Sequence, residues 1–294
     1  MKQKRSILIL VLLIVLLSSI TASFGILSHK GDGPYQYESI RGESVEIYGR
    51  GVYHHMSADV AVQGIAQDYV TLFAGIPLLL ISLIGCRRNS IRYHFLLAGT
   101  LLYFFVTYLF YTAMGMYNVL FLFYTALLGL SFFGLILAIY SFDLKEITEQ
   151  LSIKIPNKLV GGFLIFNSIA IAILWLGIII PPLFDGSIYP VELQHYTTLI
   201  VQGFDLGLLL PASFVAGLLL FRARTTGFLF GTIYIVFLSI LMTALSAKII
   251  AMYLNDVNVI PAVFIIPGIN IFTIICAFLM IRSFQTNRRN ESNR

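Results

Sequence analysis

Eight apolar stretches, each long enough to cross a bilayer, recur along this chain, and the Lys and Arg residues between them fall on alternate loops. A hydrocarbon core about 30 Å thick takes about 20 apolar residues in a helix to cross, and only helices or closed barrels satisfy every backbone group there. Continuous runs such as 119–140 exclude the alternating segments, roughly 10 residues long, of a membrane barrel. With 58% hydrophobic residues, 11% charged residues and a mean hydropathy of +0.89, the 294-residue chain has the bilayer as its solvent. The expected fold class is an all-α integral membrane protein with eight transmembrane helices, at about 6–27, 60–85, 93–113, 118–141, 159–181, 198–221, 227–253 and 260–282.

If Lys2, Lys4 and Arg5 face the cytoplasm, 15 of the 19 basic residues lie on that side. Only Lys30, Arg41 and Arg50 lie outside, and Lys248 falls within a span. The positive-inside rule then predicts that both termini are cytoplasmic. The net charge of +5 follows from this anchoring and is no argument for nucleic acid. The short apolar heart of the first segment, 7–17, with small residues at 18–25, also fits a cleaved signal; an internal duplication favours keeping it as a helix. Cys86 and Cys276 both map toward the cytoplasmic leaflet in no metal-ligand spacing, and read as buried structural thiols.

The duplication is read from the second and sixth spans. Val62-Gln63-Gly64 and Val201-Gln202-Gly203 each precede an aspartate, a mid-span proline and a basic turn. Asp68 with Asp205, Pro77 with Pro211 and Arg87 with Arg222 are offset by 137, 134 and 135. An even number of crossings separates the copies, so the repeat is parallel, four helices plus four. The expected organisation is a first half at 1–141 with an extracytoplasmic insert at 28–58. A cytoplasmic connection follows at 142–158, then a second half at 159–282 and a basic tail at 283–294. The insert is too short for its own core. Residues 45–48 and 52–54 flank Gly49-Arg50-Gly51, which predicts a small hairpin. On the inside, Leu144, Ile147 and Leu151 share one face of a short interfacial helix.

The string Glu46-Ile47-Tyr48-Gly49-Arg50-Gly51-Val52-Tyr53, then Gln63 to Asp68 leading into Val70, Thr71, Leu72, Gly75 and Pro77, resembles a family of bacterial multipass membrane proteins without assigned activity. The likeness covers mainly 44–135 and more loosely the second half. It implies a bacterial plasma-membrane location and a shared fold, and it transfers no catalytic residue.

A helix starting near Asp59 puts Gln63, Gln67 and Thr71 on one stripe, bordered by Asp68. In the sixth span His195, Thr198, Gln202 and Asp205 make a matching stripe. Intramembrane carboxylates and amides face the bundle interior or a wet cavity, so two facing stripes would line an outward-opening pocket. The competing role for both aspartates is to cap helix N-termini. Lys248 either snorkels to the outer boundary or pairs with Asp205 or Asp68. The row Tyr103, Thr107 and Tyr111, with Tyr108 alongside, reads as packing and interhelical hydrogen bonds. Pro77, Pro211 and Pro267 predict helix breaks.

His54 and His55 with Asp59 lack a further ligand fixed by spacing, so neither a metal nor a cofactor is expected. No hydrolase, metalloprotease or phosphate-loop motif occurs, and the sequon Asn290-Glu291-Ser292 falls on the cytoplasmic side, where it is inert. The expected substrate-binding set is Gln63, Gln67, Asp68, His195, Gln202, Asp205 and Lys248. These point first to a small-solute transporter or permease. The alternative is a non-transporting protein that docks a lipid, peptide or partner subunit at its outer face, and a surface enzyme using His195 with Asp205 or Asp68 ranks third. Partners are thus the lipid bilayer and a small ligand or protein at the extracytoplasmic face.

Overall fold

The computed structural model describes residues 4–88, 90–151 and 155–284. The sequon, most of the basic tail and Lys154 lie outside the described residues. Within them are eight helices long and apolar enough to cross a membrane: Lys4–Leu27, Ala58–Cys86, Ile91–Ala113, Phe121–Tyr140, Asn157–Phe184, Ile200–Phe221, Thr225–Leu254 and Ala262–Arg282. The expected ends hold to within a few residues. The fourth span starts later than predicted because the Asn118 side chain accepts from the Leu120 amide at 2.9 Å, closing a turn first.

The prolines break two spans in the same way. Pro77 and Pro211 carry no N–H, and their rings crowd the carbonyl one turn earlier. The chain widens there into a π segment at Thr71–Gly75 and at Asp205–Leu209. The Ile76 amide donates to the Thr71 carbonyl, and the Leu210 amide to the Asp205 carbonyl, each five residues back. At Pro267 the helix continues through the proline.

The seventh span is the most enclosed of the eight and packs against the second, third, sixth and eighth, whereas the fifth and eighth turn most of their apolar surface outward. Close crossings are made where side chains are missing. A Cβ on Gly99 would lie 2.4 Å from Val236 Cγ1, and one on Gly161 would lie 2.7 Å from the Gly217 carbonyl oxygen. On the first span Ser18, Thr21, Ala22 and Gly25, spaced by three, one and three, are buried. These small residues form a packing face of the first span.

Two expectations are corrected at the ends of the bundle. The hairpin is formed by Tyr35–Glu38 (β1) and Ser44–Ile47 (β2), antiparallel, with Gln36 opposite Glu46. Residues 51–53 are a 3-10 turn, not a strand. The glycines expected to turn the hairpin serve backbone approach instead: Gly49, at φ +68°, lies so near Gly33 that a Cβ would meet its carbonyl oxygen at 1.9 Å. At the opposite end, the short helix is Leu144–Glu149, capped by Asp143, whose carboxylate accepts from the Lys145 amide. Its Ile147 is fully buried beneath the seventh span while Leu144 stays exposed, so the face predicted from the sequence is split.

Candidate functional site

The loop after the first span is stitched back onto the residues that leave that helix at Leu27. The Gly51 amide donates to the Lys30 carbonyl at 2.8 Å and the Val52 amide to Ser28 Oγ at 3.0 Å. Gly51 sits at φ +57° with the Ser28 carbonyl 2.1 Å from where a Cβ would be, so only glycine fits. The result is that Tyr53, 3% exposed, points down into the bundle with its ring over Gly64.

The Tyr53 hydroxyl donates to Asp68 Oδ2, and the Tyr111 hydroxyl lies 2.8 Å from Asp68 Oδ1. The two hydroxyls are 3.0 Å apart, and Tyr111 also reaches the Gly64 carbonyl at 3.1 Å. Asp68 is 5% exposed, sealed on the third side by Gly25, where a Cβ would fall 1.7 Å from Oδ2. Burial first, and then the neighbouring carboxylate, hold the Tyr53 phenol well above its ordinary range, so it stays an O–H donor. Behind this cage, Gln67 Nε2 donates to the Tyr103 hydroxyl at 2.8 Å and to Thr107 Oγ1 at 3.3 Å, and Thr71 Oγ1 lies 2.9 Å from the same phenol. Tyr108 meets Thr21 of the first span at 3.1 Å, and the ring of Tyr111 packs on Tyr124 with centroids 5.1 Å apart. The tyrosine row thus makes interhelical hydrogen bonds, and three spans and a loop converge on one carboxylate.

Neither aspartate caps a helix. Asp68 is ten residues past Ala58, about 15 Å along the axis at 1.5 Å per residue, well beyond the free amides. Asp205 opens the π segment of the sixth span and accepts the indole N–H of Trp175 at 2.8 Å. Lys248, half-buried on the seventh span, lies in electrostatic reach of Asp205 first and Asp68 second, and bonds directly to neither.

The rest of the expected stripes separates. Gln63 is half-buried and its amide donates back to the Asp59 carbonyl at 3.3 Å. Gln202 is buried at 9% exposure on the sixth span. His195 and Thr198 precede the helix, which begins only at Ile200, so the sixth-span stripe does not extend to them. The second and sixth spans do not face each other; the third and seventh lie between. Two apolar grooves open on the outside of the fifth and sixth spans, one at Ile173, Gly177 and Pro181 and one at Ala172, Leu206 and Pro211, and neither reaches Asp68.

His195 belongs instead to a clasp over the hairpin end. Its Nε2–H donates to the His55 carbonyl at 3.0 Å. Arg41 donates to the Gln194 and Tyr196 carbonyls at 3.1 and 3.0 Å while its guanidinium lies 5.3 Å over the Tyr189 ring. Gln194 Nε2 reaches both Asp59 oxygens at 3.2 Å, and the Tyr196 hydroxyl meets Ser57 at 3.3 Å. Burial pushes the Tyr196 phenol up from its ordinary value. The clasp ties the loop before the sixth span to the segment that carries Tyr53. Among the described residues no three His, Cys, Asp or Glu side chains gather as metal ligands.

Tyr53, Trp175 and Gly25 contact the candidate site's carboxylates and Gly64 contacts Tyr53 and Tyr111, and none is among the binding residues the sequence singles out. Gly64 was visible in the Val-Gln-Gly landmark and Trp175 as the single tryptophan, but neither signal names a partner. Comparison with protein-family models, with curated proteins and with solved structures found no match for this chain.

Proposed function

We propose that this chain is a small-solute permease of the bacterial plasma membrane, built as a parallel four-plus-four repeat with both termini cytoplasmic. The observation that carries the reading is Asp68, a carboxylate enclosed by three spans beside a broken helix, with Lys248 shared between it and Asp205. Ionisable groups at such depth cost several kcal/mol and mark ion and substrate pathways when they occur. Breaks in helices beside them recur in transporters, where freed backbone groups meet the solute.

The repeat is supported by geometry as well as by sequence. Thr71 and Asp205, which open the two π segments, are 134 residues apart, as are Pro77 and Pro211. Gly99 and Ile233 share that offset and meet at the crossing of the third and seventh spans, as equivalent positions do near a two-fold axis. At this offset Asp68 matches Gln202 and not Asp205, in place of the pairing read from the sequence, and Asp205 matches Thr71, so the two halves are chemically unequal. The permease alternates, in this reading, by moving one half against the other, with the clasp and Tyr53 closing the outer side.

The experiment is uptake into proteoliposomes of a labelled panel of amino acids, sugars and polyamines. Saturable uptake of one solute class by the wild type, lost in Asp68→Asn and reduced in Lys248→Met, is the expected result. No uptake of any panel member, with a stoichiometric partner co-purifying through the hairpin end, would favour the second reading. That reading is a docking protein, and the exposed strand Tyr35–Glu38 favours it.

A further inference from the structure

We propose that Asp68 is a reversible proton-binding site, the coupling site of the permease reading above, and that its hydrogen-bond chain is built to serve both protonation states. As a carboxylate, Asp68 accepts from Tyr53 at Oδ2 and from Tyr111 at Oδ1. Each phenol has one proton and a second acceptor within reach: Tyr111 Oη lies 3.0 Å from Tyr53 Oη, and the Gly64 carbonyl lies 3.1 Å from Tyr111 Oη. When a proton arrives on Oδ2, that O–H donates to Tyr53, Tyr53 turns its own proton to Tyr111, and Tyr111 turns its proton to the Gly64 carbonyl. No heavy atom has to move. One proton is gained, no O–H is left without an acceptor, and the reverse rotation releases the proton. A buried polar network normally satisfies one state and penalises the other; this one offers a complete set of partners to each.

The same geometry favours a proton over a metal cation as the coupling ion. Hard cations take six or more oxygen ligands at full size, and here the carboxylate is flanked by two phenols, one carbonyl and the bare Cα of Gly25. The space on Oδ2 that a cation would need is filled by the first span. Tyr53 from the loop and Tyr111 from the third span touch Asp68, and Tyr103 and Tyr108 from the third span, Tyr124 from the fourth and Lys248 from the seventh lie within its electrostatic reach. The first span contributes Gly25 and, through Tyr108, Thr21, neither of which titrates. Lys248 is thus the one cation set against Asp68 among the described residues, and it is shared with Asp205.

Infrared difference spectroscopy of the reconstituted full chain, between acidic and alkaline buffer, tests this without any solute. A carbonyl-stretch band from a protonated buried carboxyl is expected in the wild type and absent in Asp68→Asn. Tyr53→Phe and Tyr111→Phe keep the carboxyl but remove one link each. In both, the band should persist while the proton affinity rises by up to about tenfold, since the charge-assisted bond lost by the carboxylate is stronger than the neutral one lost by the acid. An Asp68→Asn spectrum identical to the wild type overturns the proposal, as does a band that responds to sodium at constant pH and ionic strength. If the band behaves as expected and no panel solute is taken up, proton binding stands and the permease reading falls.

Discussion

Replacing Gly25 by Ala tests the closest contact at the site. The new Cβ would fall 1.7 Å from Asp68 Oδ2, 2.7 Å from Asp68 Cγ and 3.2 Å from the Tyr53 hydroxyl. Either the first span moves away or the carboxylate swings off Tyr53. Overpacking costs about 1–3 kcal/mol, and a lost hydrogen bond to a charged group about 1.5–3 kcal/mol. Helix propensity returns at most about 1 kcal/mol, less where the unfolded state in detergent keeps its helices. Only one of the two is paid, so the net destabilisation is about 0.5–3 kcal/mol. Gly129→Ala is the control: it lies inside the fourth span and its Cβ would meet nothing within 4 Å, so it should be neutral or slightly stabilising. The assay is equilibrium unfolding in mixed micelles of SDS and a mild detergent, followed by circular dichroism, with Asp68→Ala and the double variant completing a cycle. The double variant should be more stable than the two single effects summed, by about 1–3 kcal/mol, because the clash needs both partners. Gly25→Ala within about 0.5 kcal/mol of Gly129→Ala would refute the packing argument.

Two further outcomes follow from other parts of the molecule. Trp175 is the single tryptophan and its indole N–H is bonded to Asp205, so Asp205→Leu should shift its emission to the blue, while Gln202→Leu, on the same span, should leave it unchanged; equal spectra for all three proteins would remove the contact. For orientation, an impermeant thiol reagent applied to intact cells should label Gly42→Cys in the hairpin turn and not Arg224→Cys, which should react only after permeabilisation. Cys86 and Cys276, 2% and 0% exposed, should contribute no background, and the opposite labelling pattern would invert the topology.

Much of the candidate site was legible as residue types and little of it as contacts. Asp68, Gln67 and Lys248 stood out because charge and amide are costly in an apolar span. Asp205 stood out for the same reason, yet its partner Trp175 lies 30 residues earlier, on the far side of a loop. The spacing of His195 to Gln202 predicts a helix, whereas the helix begins at Ile200 and the clasp with Arg41 and His55 claims the preceding residues. The hairpin departs from its sequence pattern for a related reason. Gly49 and Gly51 read as turn formers, but their positive φ angles serve close approach to Gly33 and Ser28, contacts that no local pattern records.

The sequence alone determined that eight helices long and apolar enough to cross a membrane exist, nearly where each begins and ends, and it marked three prolines as breaks, of which only Pro77 and Pro211 widen their spans. Those properties depend on hydropathy over one span and on a missing N–H, both local. Only the tertiary structure decided which spans are neighbours, that the seventh is central, and that Tyr53 drops from a loop onto Asp68. The physical reason is that lipid tails and a helix core are equally apolar, so a residue facing one is chemically the same in sequence as a residue facing the other. What separates them is close approach, and that is set by where a glycine such as Gly25 or Gly64 lets a distant polar group come near.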